Sequence, residues 1–310
     1  MSETNQPTGG ETVLSIEDLR IALPAGADRQ FAVEDVSLDL KAGEILCIVG
    51  ESGSGKSMSA NAMMGLLPDL VRPVGGRILF EERDLLTLSE AERLDLRGRK
   101  MAMIFQEPMS ALNPLMHVED QIAEVFEAHG LLTPRERRAR AVELLDEVGI
   151  PEPAKAAKAY PFQLSGGQRQ RVMIAMALAL EPSILIADDP TTALDVTTQA
   201  QILDLIRTLQ KSHGMAVMFI THDFGVVAEI ADRVAVMQLG RIVEQGTAGE
   251  VLDNPRHPYT RELIAAIPRL ATDAEENQRK GTPLLEVTGM SKTYRSGGGL
   301  FGGEARVVHA

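Results

Sequence analysis

Gly50-Glu51-Ser52-Gly53-Ser54-Gly55-Lys56-Ser57 constrains the fold of this 310-residue chain more than any other stretch. An unbroken apolar run, Ile45 to Val49, precedes it, and a helical pattern follows from Lys56 to Leu67, with Pro68 expected to end the helix. Buried strand, glycine loop and helix in that order form the context in which G-x-x-x-x-G-K-[ST] binds phosphate. Glycines permit the backbone angles that turn successive N–H groups inward, and the helix adds the positive end of its dipole. Gly50 to Met58 then cradle the phosphates, Lys56 brings a mobile point charge to them, and the Ser57 hydroxyl is a ligand for Mg²⁺. A plain Gly/Ser-rich surface turn is the alternative, and the flanking strand and helix speak against it. The reading is a site for ATP with magnesium.

Composition narrows the partners. The formal charge is −13, from 31 basic and 44 acidic residues, so a basic stripe of the kind that binds nucleic acid is not expected. The single Cys47 lies inside the apolar run and excludes both a disulfide within the chain and a cysteine-ligated cluster. No stretch reaches the ~20 consecutive apolar residues of a membrane span. Residues 1–12 are polar, lack a basic-then-apolar leader pattern and are expected to be disordered. The expected location is therefore cytoplasmic, with any membrane association made through a partner.

Periodicity supplies the architecture. Val13 to Leu19 and Ala32 to Leu40 alternate as half-buried antiparallel strands do, and strand character returns from Gly76 to Phe80. Three helical patterns follow, at Val118 to His129, Arg135 to Val148 and Gln168 to Leu180. Apolar strands at Ile184 to Ala187, Ala216 to Thr221 and Val234 to Met237 then alternate with helices at Thr197 to Lys211 and Phe224 to Ala231. The expected fold is α/β, a P-loop NTPase (RecA-like) core with a mainly parallel sheet, an antiparallel β subdomain and an inserted helical subdomain at about 115–181.

Ile184-Leu185-Ile186-Ala187-Asp188-Asp189-Pro190 ends an apolar strand in two carboxylates. Asp188 can reach the magnesium held by Ser57. Asp189 can orient and deprotonate an attacking water. Leu164-Ser165-Gly166-Gly167-Gln168 is the most discriminating string, because a Ser-Gly-Gly helix entry is a second anion site with no second lysine to serve it. With Gln106, the Thr192-Ala193-Leu194-Asp195 turn and His222, these motifs stand in the order of the ABC-transporter ATPases, which the chain resembles from Val13 to Leu270. The resemblance implies two ATPase domains that sandwich ATP head to tail. Ser165, Gly166, Gly167 and Gln168 would clamp nucleotide held by the partner's loop, Gln106 would touch the metal and sense the transmembrane subunits, and His222 would contact the γ-phosphate.

Two strings resemble one branch of that family, the oligopeptide and dipeptide importers, which include nickel and glutathione systems. These are Phe105-Gln106-Glu107-Pro108-Met109-Ser110-Ala111-Leu112-Asn113-Pro114 and Asn254-Pro255-Arg256-His257-Pro258-Tyr259-Thr260, the latter leading into a helix at Thr260 to Ile267. The partners implied are a second ABC domain, two permease subunits and, indirectly, a solute-binding protein, with the ATPase on the inner face of the membrane. The chain then divides into an ATPase domain at 13–250, an extension and linker at 251–282, and a repeat at 283–310. In the repeat, Leu285 to Tyr294 follows the pattern of Leu14 to Leu23 at most positions, 271 residues later, as a second ABC domain would begin.

Two residues depart from the family pattern. Asp189 stands where glutamate is usual, one methylene shorter, so slower hydrolysis in this half is expected, or a half that holds ATP as a dimer clamp. Leu23 stands where an aromatic usually stacks on adenine. A soluble ATPase acting on nucleic acid would instead carry a long coiled coil, zinc-type cysteines or a basic face.

Overall fold

A computed structural model describes residues 10–107, 111–192, 194–267, 285, 287–296 and 306–309. Residues 1–9, 108–110, 193 and 268–284, parts of the strings quoted above, lie outside the described residues. The chain forms two compact units, one ending at Ile267 and one beginning at Pro268.

In the first unit β1 (Thr12–Ala22) and β2 (Phe31–Lys41) form a hairpin, followed by β3 (Ile45–Val49) and helix α1 (Lys56–Met64). Next come β4 (Arg72–Phe80), β5 (Arg83–Asp84), α2 (Glu90–Leu96) and β6 (Met101–Ile104). Among the described residues four helices stand between β6 and the next strand: α3 (Val118–Ala128), α4 (Pro134–Glu147), α5 (Pro153–Ala156) and α6 (Gly166–Leu178). The remainder runs β7 (Ile184–Asp188), α7 (Val196–His213), β8 (Ala216–Thr221), α8 (Phe224–Ile230), β9 (Arg233–Gln238), β10 (Arg241–Thr247), α9 (Ala248–Asp253) and α10 (Pro258–Ala265).

The expected fold is borne out. A six-stranded sheet has the order β10-β9-β3-β8-β7-β6, parallel except for β10, and an antiparallel sheet has the order β2-β1-β4-β5. All five residues of β3 are buried because its two faces meet different cores. Ile45, Cys47 and Val49 join the core that contains the helices α3 to α7, whereas Leu46 and Ile48 join the core shared with the antiparallel sheet. The phosphate loop therefore leaves a strand clamped from both sides.

Several expectations shift. Residues 11 and 12, expected to be disordered, are ordered: the Glu11 carbonyl accepts the Ala42 N–H and Thr12 pairs with Lys41, so the sheet captures both. Helix α1 stops at Met64, well before Pro68. Gly65 takes the left-handed conformation, and the N–H groups of Gly65 and Leu66 bond back to Ala62 and Asn61, closing the helix end. Helix α6 begins at Gly166, ahead of the expected Gln168, because Ser165 caps it. The extension helix starts at Pro258, at the first helical position, where a missing N–H costs nothing. That helix belongs to the first unit.

The second unit contains a two-stranded antiparallel sheet, β11 (Thr293–Ser296) with β12 (Arg306–His309), in which Thr293 is opposite His309.

Candidate nucleotide site

The phosphate loop is shaped by close approaches that only glycine allows. A Cβ on Gly50 would stand 2.1 Å from the Met237 carbonyl oxygen, and one on Gly55 2.5 Å from that of Ala32. Gly240 N–H donates to the Ser54 carbonyl at 2.9 Å, and the Arg29 guanidinium donates to the Gly53 carbonyl. Strands on two sheets thus fix the loop. Gly55 is the N-cap of α1 in a left-handed conformation and offers no side-chain acceptor. The first-turn donors of α1 are left to an external anion.

Lys56 is buried, and its Nζ donates to the carbonyls of Gly50 (2.7 Å) and Glu51 (2.9 Å). Burial lowers its pKa, against the opposing pull of Asp189, Asp188 and Glu51. Ser57 Oγ donates to Asp188 Oδ1 at 2.9 Å. Burial raises the Asp188 pKa and the neighbouring Asp189 adds to the rise, while Ser57 and Lys56 oppose it. Two buried carboxylates beside one ammonium favour a cation. Among the described residues no three or more His, Cys, Asp or Glu gather as a metal cage. Two adjacent hard oxygens suit Mg²⁺, which keeps waters and phosphate oxygens for its other positions. The donor set fits ATP·Mg²⁺.

Asp189 directly follows β7, with its N–H on the Ile220 carbonyl (2.8 Å), a backbone φ of 47° and its side chain turned toward β8. Asp189 Oδ2 lies 2.7 Å from His222 Nδ1 and Oδ1 lies 3.5 Å from Thr221 Oγ1. The imidazole is 60% exposed while the carboxylate is only 12% exposed, so the pair has one dry and one wet member. It can hold a water and receive its proton. The structure thus brings together Lys56, Ser57, Asp188, Asp189 and His222.

Ser165 and Gln168 are placed elsewhere. Ser165 Oγ accepts the Gln168 N–H (3.2 Å) while Gln168 Oε1 accepts the Ser165 N–H (2.9 Å), a complete capping box. Their turn packs on α7: a Cβ on Gly167 would meet Thr198 and one on Gly166 would meet Leu194. Among the described residues no hydrogen bond joins this turn to the phosphate loop. Gln106 stands exposed beyond β6 and makes no hydrogen bond to Ser57 or Asp188. Met58 and Leu23 are half-buried against the core of the antiparallel sheet.

Sequence reading missed one residue here. The Tyr259 hydroxyl accepts the Glu51 N–H at 3.2 Å, and the two residues are 208 positions apart, which no local spacing announces.

The family model for ABC transporters matches residues 33–192, from the middle of the first hairpin through the acidic pair. The chain belongs to the ABC-transporter ATPase family. A second model, the oligopeptide/dipeptide transporter C-terminal region, matches residues 243–297, so this ABC chain also carries that branch's extension. It is 54% identical over 270 residues to the peptidoglycan transport ATP-binding protein YejF of Agrobacterium fabrum, covering 87% of this chain and 49% of that one. It is 51% identical to the oligopeptide transport ATP-binding protein OppD of Bacillus subtilis (87% of this chain, 76% of that one). It is 46% identical to the glutathione import ATP-binding protein GsiA of Escherichia coli O157:H7 (96% and 53%). The chain thus spans about half the length of the first and third of these relatives. The ABC fold is shared with the solved dimer of the ATP-binding cassette MJ0796 in a post-hydrolysis state bound to ADP and Pi. The two are 31% identical with a TM-score of 0.67, covering 76% of this chain and 98% of that one.

Proposed function

We propose that this ABC ATPase energises the import of peptides or related small solutes by pairing, on ATP binding, with a second ABC domain beneath two permease subunits. One observation carries the pairing: Ser165-Gly166-Gly167 opens a helix packed on α7, and no hydrogen bond of that turn reaches the chain's own phosphate loop. The Ser165 hydroxyl accepts from Gln168 yet retains its own proton, which it can donate to a phosphate presented by another domain. In this reading the α1 N-terminus and Lys56 bind the phosphates, Ser57, Gln106 and Asp188 hold Mg²⁺, and Asp189 with His222 handles the water. Bound Mg²⁺ neutralises phosphate charge; the chain's own residues orient the reactants and take up the proton.

The peptide assignment draws on the match at 243–297 and on relatives described as transporting peptidoglycan, oligopeptides and glutathione. None of the helices searched among the described residues is long and apolar enough to cross a membrane. The inner face of the membrane, with a solute-binding protein acting from the far side, is the location that follows from a permease partner.

The second ABC domain begins, in this reading, within the chain. Thr293 is the counterpart of Ala22 at the 271-residue offset, and its partner His309 is the counterpart of Phe31, the residue that Ala22 faces in β2. The next pair, Tyr294 with Val308, repeats Leu23 with Gln30, where the Leu23 N–H donates to the Gln30 carbonyl. The 243–297 match overlaps this segment; the hairpin register favours the repeat.

The test is reconstitution with the permease pair, adding candidate solute-binding proteins one at a time. ATP turnover is expected to rise with a peptide-loaded binding protein. Stimulation only by a sugar- or amino-acid-loaded protein would overturn the peptide assignment.

A further inference from the structure

We infer that Tyr259, in the extension beyond the ATPase core, is a positioning residue that pins the phosphate loop at Glu51 and thereby sets ATP affinity. The inference rests on reading Gly50–Ser57 as the phosphate site.

The Glu51 peptide is held on two sides. Its N–H donates to the Tyr259 hydroxyl at 3.2 Å, and its carbonyl accepts from Lys56 Nζ at 2.9 Å. When Lys56 turns to a phosphate it gives up the Gly50 and Glu51 carbonyls. The tyrosine bond then remains to hold the start of a loop that contains three glycines, whose freedom must otherwise be lost on binding. Pre-fixing the loop lowers that entropic cost.

Tyr259 is itself fixed by the extension rather than by the loop. It is 6% exposed and packs in the helix-side core. Glu244 on β10 accepts the backbone N–H groups of Arg256 (2.7 Å) and His257 (3.0 Å). His257 Nδ1 in turn accepts the Tyr259 N–H at 3.3 Å. A chain of bonds therefore runs from β10 through the extension's turn to the phosphate loop. Burial above all raises the phenol's pKa, so it stays neutral and keeps its proton at physiological pH.

The experiment uses the 310-residue chain in four forms: unaltered, Tyr259→Phe, Leu263→Ala and Lys56→Ala. Leu263 is half-buried on the same helix, against the same core, and serves as the packing control. Affinity for trinitrophenyl-ATP with Mg²⁺ and the melting temperature are measured for each, and KM and kcat in the reconstituted transporter. Tyr259→Phe is expected to weaken binding about fivefold, the value of one ordinary hydrogen bond. KM should rise by the same factor with kcat unchanged, as for an interaction equal in ground and transition states. Leu263→Ala is expected to lower the melting temperature at least as far while leaving affinity unaltered. Unchanged affinity in Tyr259→Phe, or an equal loss in Leu263→Ala, overturns the inference while Lys56→Ala still abolishes binding. Native affinity in Lys56→Ala instead overturns the phosphate-site reading, and this inference with it.

Discussion

Two helices open from glycine-containing turns in this ABC domain, α1 behind Gly55 and α6 behind Ser165, and they treat their first-turn donors in opposite ways. The N-terminus of α1 has no side-chain cap and a buried lysine as its first residue. The N-terminus of α6 is closed by a reciprocal Ser165–Gln168 box and has no acidic residue in its first turn. The first is an anion site waiting within its own fold. The second has two of its donors closed internally and offers a hydroxyl proton, the Gly166 and Gly167 N–H groups and a dipole. In the function proposed above, one end binds alone and the other completes a site on a neighbour, and substitutions at each should separate those roles.

The largest effect is expected at α1. Lys56→Ala should lower ATP turnover by about 10²–10³, the cost of removing one preorganised charge from a dry site, and should abolish binding in the chain alone. A steady-state ATPase assay with equilibrium binding checks both. At α6, Ser165→Asp is the sharper instrument, because aspartate caps as well as serine but adds a negative charge. Melting temperature and ATP affinity of the isolated chain should hold while turnover of the paired assembly falls by about 10²-fold. If the isolated chain loses affinity as well, the two ends are not separable and the comparison breaks. Ser165→Ala should cost about 1 kcal/mol of stability by denaturant titration, again without a change in affinity.

A smaller effect tests the carboxylate between them. Asp189 reaches His222 at 2.7 Å, and one added methylene carries the carboxylate toward the water instead. Asp189→Glu should raise single-turnover hydrolysis by about tenfold or more, since displacement on the order of an ångström is worth up to ~100-fold. No gain would mean that the aspartate already sits where it is needed. The smallest effect is at the base. Leu23→Tyr should tighten ATP binding by about 0.5–1.5 kcal/mol, the worth of an aromatic stack beyond area burial. A calorimetric titration checks it.

Most of the fold was legible because its signals are local. Ile45–Val49 is a five-residue run with both faces buried, and the structure returns the same bounds. The strand-then-carboxylate pattern at Ile184–Asp189 is equally local, and in the structure Asp188 at the end of that strand accepts from Ser57. What escaped had weak periodicity or none. Strand β10 is an edge strand with a bulge between Ile242 and Glu244, so its alternation fails. Helices α2 and α9 each begin with a capping box, Ser89 with Glu92 and Thr247 with Glu250, which the sequence displays but whose following runs are too short to read as amphipathic. The His222–Asp189 and Tyr259–Glu51 contacts join distant positions, and only the tertiary fold creates them. Gln106 was legible as a residue type, yet nothing in the chain alone ties it to the metal ligands.

The clamped strand β3 has one more consequence. Cys47, the only cysteine, is fully buried between a helix layer and its sheet neighbours, and burial raises its thiol pKa far above the ordinary value. It presents almost no thiolate and no path for a reagent. The 310-residue chain therefore behaves as a cysteine-free background for surface labelling. A cysteine placed at Val196, 83% exposed at the start of α7, would carry a spin label or fluorophore as the sole reactive site. Distances between two such labels would then follow the approach of one ABC domain to another directly, with no native cysteine removed.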